Sequence, residues 1–409
     1  MKTKKSLILC LAIPVFSLLC FSTPALCAGK IVLRPKLDVS WQTDSNFFKA
    51  ETGERSVDTY LVQPGAVLGY ETDKSMVLLD YTMNVYSYDD RDNVPAGQPA
   101  ADDDDYVGHT LMFTARTQPY DKLVLGLDNS YYYTRDPAQS DRFSDSVSRY
   151  KYSINRLTPL LFYESDGRFS AGLRYRNTVT NYTEGPAEDS VENRGMLDLI
   201  YNFSDTASVD LEYQYWAKNY DGTTSDYTSN QIALILKKQF QYFIVEVGGG
   251  YQAREFDDPA VEDIDTPAFR IALTGQNPPA PEADPKSRVS LTAEQNLNDS
   301  GTGDSYYTAT RVTLEAGHVF LEKIPVRVSA WYQNSDYERT VGLTPSGTRE
   351  LRDDDTTDLE LEVGYMFTDC LTFFALAGYE ERDSNLAGYS YDNSYFMLRL
   401  AFDYDMGGK

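Results

Sequence analysis

The sequence predicts an all-β fold: a transmembrane, antiparallel, up-and-down β-barrel of about eighteen strands, with about sixteen as the fallback count. Three observations carry that expectation. Segments of about ten residues alternate apolar and polar side chains along the chain. The connections between them alternate short and long. Tyrosine is abundant, at 32 residues against 3 tryptophans.

The alternation is clearest near the C-terminus. Phe396, Leu398, Leu400, Phe402 and Tyr404 hold every second position, with Met397, Arg399, Ala401 and Asp403 between them. Successive side chains of a strand point to opposite faces, so one face is apolar and the other polar. Such a strand suits a wall between lipid and water. The same parity separates Val209, Leu211, Tyr213, Tyr215 and Ala217 from Asp210, Glu212, Gln214, Trp216 and Lys218. Read this way, strands fall at 31–41, 57–71, 75–88, 105–117, 122–135, 148–163, 168–182, 192–203, 207–219, 227–238, 242–255, 266–275, 287–297, 305–319, 324–337, 356–367, 371–382 and 391–404. Pro35 and Pro159 weaken two of them. The proline-rich stretch Gln276 to Lys286 falls where a short turn is expected, and it is the reason for the fallback count.

Short turns at 72–74, 119–121, 165–167, 204–206 and 368–370 alternate with long polar loops at 42–56, 89–104, 136–147, 183–191, 256–265 and 338–355. Outer-membrane barrels sort their connections in this manner, short turns in the periplasm and long loops outside. The order puts both chain ends in the periplasm. Tyr86, Tyr88, Tyr131 to Tyr133, Tyr215, Tyr251, Tyr332 and Tyr379 lie near strand ends, which suits a ring of aromatics at the headgroup boundary. For Tyr86, Tyr88, Tyr132 and Trp331, whose parity is inward, sugar stacking at a pore mouth is the functional alternative.

Residues 1–27 read as a secretion signal. Lys2, Lys4 and Lys5 precede an apolar run from Leu7 to Phe21, and the small residues Ala25, Cys27 and Ala28 suit cleavage after 27 or 28. Residues 28–409 then form one barrel domain of uniform texture. Cys10, Cys20 and Cys27 belong to the leader or its edge, which leaves Cys370 and excludes an internal disulfide or a cysteine metal cluster. Mean hydropathy is −0.45, compatible with a barrel because only alternate strand residues face lipid.

The formal net charge is −25. A nucleic-acid partner requires the opposite sign. Much of the acid lies in expected loops, at Asp102 to Asp105, Glu188 and Asp189, Asp257 and Asp258, and Asp353 to Asp355. These suit a solvated surface, or bridging to lipopolysaccharide through divalent cations.

By parity the inward set includes Arg116, Asp128, Arg174, Arg176, Asp210, Glu212, Lys218, Glu246, Arg270, Arg311, Glu315, Arg327, Glu360, Glu362 and Arg399. These are the expected pore-lining residues. Both signs are mixed and no single-signed ring is evident, so neither ion selectivity follows. The charges either pair across neighbouring strands or form patches that guide a polar solute. No catalytic, cofactor or metal motif occurs. His109 and His318 fall with the outward set; a lipid-facing Ser/His pair, or Asp102 to Asp105 beside His109 as an Asp/His pair at the rim, is the hydrolase alternative, but no serine and acid are placed together with either histidine by the sequence.

Several ordered pieces resemble a known family. Asp44-Ser45-Asn46-Phe47-Phe48, Gln63-Pro64-Gly65 and Leu79-Asp80-Tyr81 are followed by Thr134-Arg135-Asp136-Pro137, Glu212-Tyr213-Gln214-Tyr215, Gly250 to Phe256 and Gly378 to Asn385. In this order they are similar to the outer-membrane β-barrel porins associated with exopolysaccharide gene clusters. The resemblance implies an outer-membrane channel for polysaccharide or small polar solutes, with lipid, lipopolysaccharide and periplasmic export components as partners. It carries no catalytic residues. The alternative is a closed barrel that docks matrix polymer or lipopolysaccharide. The tail departs from the barrel pattern, because Asp405 to Lys409 follow Tyr404 where an aromatic end is usual.

Overall fold

The computed structural model describes residues 29–406 apart from 142, 145, 166, 280–284 and 300–305. The proposed leader, Asp166 of one short turn and part of the proline-rich stretch lie outside the described residues.

The chain forms eighteen strands. They are β1 (Lys30–Asp44), β2 (Val57–Glu71), β3 (Ser75–Asp90), β4 (Tyr106–Tyr120), β5 (Leu123–Thr134), β6 (Tyr152–Glu164), β7 (Phe169–Tyr182), β8 (Ser190–Ser204), β9 (Ala207–Tyr220), β10 (Tyr227–Gln239), β11 (Phe243–Phe256), β12 (Ile264–Asn277), β13 (Ser287–Asp299), β14 (Tyr306–Phe320), β15 (Ile324–Leu343), β16 (Arg349–Thr368), β17 (Leu371–Ser384) and β18 (Tyr391–Asp403). Each pairs antiparallel with its sequence neighbours, and β1 also pairs with β18, so the sheet closes on itself. Closure satisfies every strand edge, which a lipid environment demands because it offers no water to an unpaired N–H or C=O.

Parity decides the two faces. Leu33, Val39, Leu68, Leu173, Leu199, Leu234, Ile271, Leu314, Leu361 and Leu400 are all exposed, and they form a continuous apolar band around the outside. Aromatic rings flank it. Tyr70, Tyr120, Tyr163, Phe169, Phe203, Phe240, Phe320 and Phe367 gather by the short turns, while Tyr60, Tyr81, Tyr175, Tyr213, Tyr215, Tyr251, Tyr332 and Tyr379 lie toward the long loops. An apolar exterior of this extent is stable only in contact with lipid. Among the described residues no helix is long and apolar enough to cross a membrane, which says nothing about strands.

The seam between the first and last strands is locked at the outer rim by side chains. Asn46 is fully buried and donates from its amide to the carbonyls of Ala50 (2.8 Å) and Asp392 (3.0 Å). Asn393 returns a bond to Asp44 Oδ1 (3.1 Å) and accepts from the Asn46 N–H (2.9 Å). Lys49 meets Glu380 at 2.7 Å, and Tyr391 donates to the same carboxylate at 2.6 Å. The motif around Asp44 to Phe48 and that around Glu380 are therefore closure devices, joined across most of the sequence.

Two sequence expectations are corrected. The stretch 338–355 is not a long loop. β15 and β16 extend as a hairpin past the rim to a turn at 344–348, where Thr344 N–H meets the Thr348 carbonyl at 2.8 Å and Gly347 takes φ +84°. The ladder breaks in a bulge after Asp336, opposite Asp353, and resumes at Val341, opposite Leu351, in a segment whose acids resemble a loop. Tyr86 and Tyr88 belong neither to the lipid girdle nor to a sugar platform. Tyr88 is buried, Tyr86 stacks on Tyr106 at 4.7 Å, and both pack with Phe47 under the outer loops.

The outer loops are tied to one another. Glu188, between β7 and β8, accepts from the Thr223 N–H (2.7 Å), the Thr223 hydroxyl (3.0 Å) and the Thr224 N–H (3.0 Å) of the next loop. A Cβ on Gly222 would sit 2.1 Å from the Glu188 carboxyl carbon, so a larger residue there would push the carboxylate out of this clamp. Partial burial pulls the Glu188 pKa up, but the Thr223 and Thr224 donors outweigh it, and the net position is below the ordinary glutamate value of 4.5. A depressed pKa in the clamped state makes the clamp complete above that ordinary value. It weakens as the pH falls through the lower, clamped value. Hydrogen exchange of residues 221–226 is therefore expected to be slow at neutral pH and to accelerate under acid conditions. Glu188→Gln is expected to show fast exchange throughout.

Candidate functional site

The loop between β5 and β6, residues 135–151, does not stay outside. It begins with a short 3-10 turn at Pro137–Gln139, capped by Asp136, which accepts from the Ala138 N–H at 3.0 Å. The loop then enters the barrel. Phe143, 2% exposed, packs among Tyr307, Ala309 and Tyr337. Tyr307 O–H and Gln333 Nε2 donate to the Phe143 carbonyl, at 2.9 and 3.1 Å. Those residues belong to β14 and β15, nine strands around the ring from β5 and β6. The loop therefore spans the bore and is pinned to the opposite wall. Its return limb is held by Arg149, which donates to the Tyr88 hydroxyl at 2.8 Å and lies over the Phe47 ring at 4.3 Å. Arg156 on β6 donates to the carbonyls of Gln139 and Ser140, both at 2.7 Å.

What remains open is a cavity of about 980 Å³ beside the loop. Ser140, Ser144, Ser146 and Ser148 line its loop side. Arg156, Arg174, Arg176, Glu192, Arg194 and Lys218 line its wall side on β6 to β9. The loop supplies hydroxyls and the carboxylate of Asp141, and the wall supplies guanidinium groups together with the carboxylates of Asp128 and Glu192. Neither surface is apolar, so the passage suits a hydrated, polar solute.

The residues picked out by parity sit on the face opposite the exposed apolar one, and most are paired. Arg116 meets Asp128 at 2.7 Å. Arg174 donates to both oxygens of Asp198, at 3.0 and 2.9 Å. Lys237 meets Glu246 at 2.9 Å. Arg399 meets Glu362 at 3.1 Å and lies over the Phe374 ring, and Arg327 approaches Glu360 at 3.8 Å. Arg311 bonds Gln333 through Nε at 2.8 Å and covers Trp331 at 4.2 Å. Arg270 and Arg311 each stand opposite Glu294 in the register. Glu212 stands opposite Asp198, Lys218 opposite Glu192, Glu315 opposite Ser290 and Ser329, and Asp210 opposite Ile200 and Ile235. Arg176 faces another arginine, Arg194. Of the parity set, Asp128, Arg174, Arg176 and Lys218 border the cavity.

Sequence reasoning did not single out Phe143, Arg156, Glu192, Arg194, Tyr307 or the inward course of the loop. The only trace of the loop is one aromatic, Phe143, in a run of Ser, Asp and Arg. The two histidines lie on the outer face. His109 Nδ1 is 2.9 Å from the Tyr81 hydroxyl. His318 Nδ1 is 2.7 Å from Ser287 Oγ, a direct cross-strand neighbour, and among the described residues no carboxylate is in contact with its ring. Among the described residues the pair has no third group that would orient the imidazole as a base. Among the described residues no cluster of His, Cys, Asp and Glu is arranged to hold a metal.

A closed barrel with a lipid-facing exterior, long loops on one rim, and a charged bore narrowed by an inward loop defines a porin-like channel of the outer membrane. Residues 245–404 match the model of the family described as "Putative beta-barrel porin 2". Among solved structures, OccK9 (OpdG) of Pseudomonas aeruginosa is similar at 11% identity and a TM-score of 0.48, over 91% of this chain and 98% of that one. The outer-membrane protein OpdK of the same organism is similar at 10% identity and a TM-score of 0.47, over 91% and 99%. OccAB4 of Acinetobacter baumannii is similar at 11% identity and a TM-score of 0.45, over 92% and 98%. No curated protein matches the sequence.

Proposed function

We propose that this channel passes carbohydrate across the outer membrane, exopolysaccharide segments or smaller polar sugars, through the gap between loop 135–151 and the β6–β9 wall. One observation carries the reading: a serine-lined loop spans the bore and leaves a polar cavity of about 980 Å³ instead of a plug. Hydroxyls and charged groups on both sides of such a gap offer many weak contacts in place of one tight site. A transported polymer needs contacts of that kind in order to leave again.

Planar bilayers containing folded protein are expected to show discrete conductance steps. Maltodextrin fragments added on one side are expected to interrupt the current reversibly. Folded, heat-modifiable protein that gives no steps overturns the channel reading. Steps that the fragments never interrupt overturn carbohydrate passage.

A further inference from the structure

The outer wall carries a groove that the apolar band leaves unfilled. It has a volume of about 530 Å³ and lies at the short-turn end of β11 to β13. Tyr242, Phe243, Leu273, Gly275 and Val289 line it. The register explains its floor. Phe243, Gly275 and Val289 stand directly opposite one another on three adjacent strands, and the middle one has no side chain. The backbone does not require a glycine at 275, since its φ lies outside the left-handed region. A Cβ there would meet Val289 Cγ1 at 3.1 Å, the Tyr242 carbonyl at 3.4 Å and Phe243 Cβ at 3.7 Å, so a larger side chain would take up the groove itself. A glycine inside a strand weakens it and often marks a place where a ligand comes close to the backbone.

The next row toward the periplasm is polar. Asn277, Ser287 and His318 stand opposite one another on β12, β13 and β14. Ser287 Oγ meets His318 Nδ1 at 2.7 Å, which leaves Nε2 for a ligand. Phe320 packs edge-on to the imidazole, ring centroids 4.3 Å apart. Arg288 lines the same end of the groove and is exposed, which adds positive charge near the polar row. An apolar groove that ends in a row of hydrogen-bonding groups matches the order of parts in a lipid, chain first and then ester and phosphate. The groove is a dent in the surface whose neighbour is lipid, so the two are continuous. A void there would forfeit contacts along every wall, and an acyl chain restores them. The volume falls in the range of ligand sites, about 300–1,000 Å³. We propose that the groove is a binding site for a phospholipid of the periplasmic leaflet. One acyl chain lies over Gly275 between Phe243 and Val289, and the phosphate is hydrogen-bonded by Asn277 and His318 near Arg288. The site gives the Ser287–His318 pair a role that needs no third residue. It is independent of what passes through the bore.

Native mass spectrometry of the folded barrel, titrated in detergent with palmitoyl-oleoyl phosphatidylglycerol, provides the test. Wild type is expected to retain a bound lipid at concentrations where Gly275→Leu retains none, because the leucine fills the groove. Gly249→Leu is the control. Gly249 is an exposed, outward glycine of β11 away from the groove, with nothing within 4 Å of an added Cβ, and its substitution is expected to leave retention unchanged. His318→Phe keeps a ring and removes its hydrogen bond to the phosphate, and is expected to weaken retention roughly tenfold. The matching diacylglycerol, which lacks the phosphate, is expected to be retained equally by wild type and His318→Phe, and more weakly than phosphatidylglycerol is by wild type. Equal retention of phosphatidylglycerol in wild type and Gly275→Leu overturns the proposal. Equal retention in wild type and His318→Phe overturns the role of the polar row and, should Gly275→Leu fail to fold, the site. Loss in Gly249→Leu as well means unspecific contact along the lipid face and overturns the site. Equal retention of phosphatidylglycerol and diacylglycerol by wild type overturns the phosphate assignment. A lipid-free dimer in wild type that Gly275→Leu converts to monomer assigns the groove to a second copy and overturns the lipid.

Discussion

Phe143→Ala is expected to produce a channel that flickers between its ordinary conductance and a wider level. The side chain is almost completely buried against Tyr307, Ala309 and Tyr337 on the far wall, although it belongs to a loop that starts at β5. Removing a buried phenylalanine costs about 3 kcal/mol or more. A loss of about 3 kcal/mol shifts the ratio of docked to released loop by roughly 150-fold. The backbone bonds from Tyr307 and Gln333 to the Phe143 carbonyl remain available, and Arg156 still holds Gln139 and Ser140, so release is expected to be intermittent. Replacing residues 137–148 by a short Gly/Ser link removes the obstruction permanently. Its conductance is expected to be several-fold above wild type and steady, at the upper level of the Phe143→Ala record. Single-channel recording of both variants checks this. A replacement variant with unchanged conductance means that the narrowest point lies elsewhere in the bore.

The parts of the fold that were legible are those where the side-chain period carries the information. A lipid wall forces an apolar residue at every second position, and Leu359 to Phe367 or Phe396 to Phe402 display that constraint without any tertiary knowledge. The extended β15–β16 hairpin was hidden because beyond the lipid the outer face no longer has to be apolar. Asp353 to Asp355 therefore read as loop while forming strand. The site was only half legible. Parity places Arg116, Arg174, Arg176 and Arg399 on the inner face, but pairing depends on register. Arg174 with Asp198 and Arg176 against Arg194 come from strands whose alignment the sequence does not state. The inward loop was least legible of all. A polar segment that hydrogen-bonds to a wall half a circumference away has the same composition as one that stays in water. Arg311 over Trp331 shows the same limit, since a ring that parity offered to a sugar is instead covered by a guanidinium.

Leu361→Arg is expected to cause the largest loss of stability available from one substitution on the outer wall. Leu361 is 47% exposed in the protein alone and lies on β16 between Val328 and Ala377, all on the lipid face. An arginine at the bilayer midplane of a barrel costs about 2–4 kcal/mol, because its hydrated charge is moved into hydrocarbon. Inner-face substitutions carry no such penalty, since the bore is wet. Glu315, exposed on the inner face of β14 opposite Ser290 and Ser329, is the matched control. Glu315→Gln is expected to change stability by less than about 0.5 kcal/mol. Reversible urea unfolding in lipid vesicles measures both, and the difference between them separates the two faces. Equal losses at the two positions are incompatible with lipid on one side of the wall and water on the other. A barrel that tolerated Leu361→Arg while losing stability with Glu315→Gln would have its faces reversed, and the bore, its loop and its arginines would lose their place in the channel together.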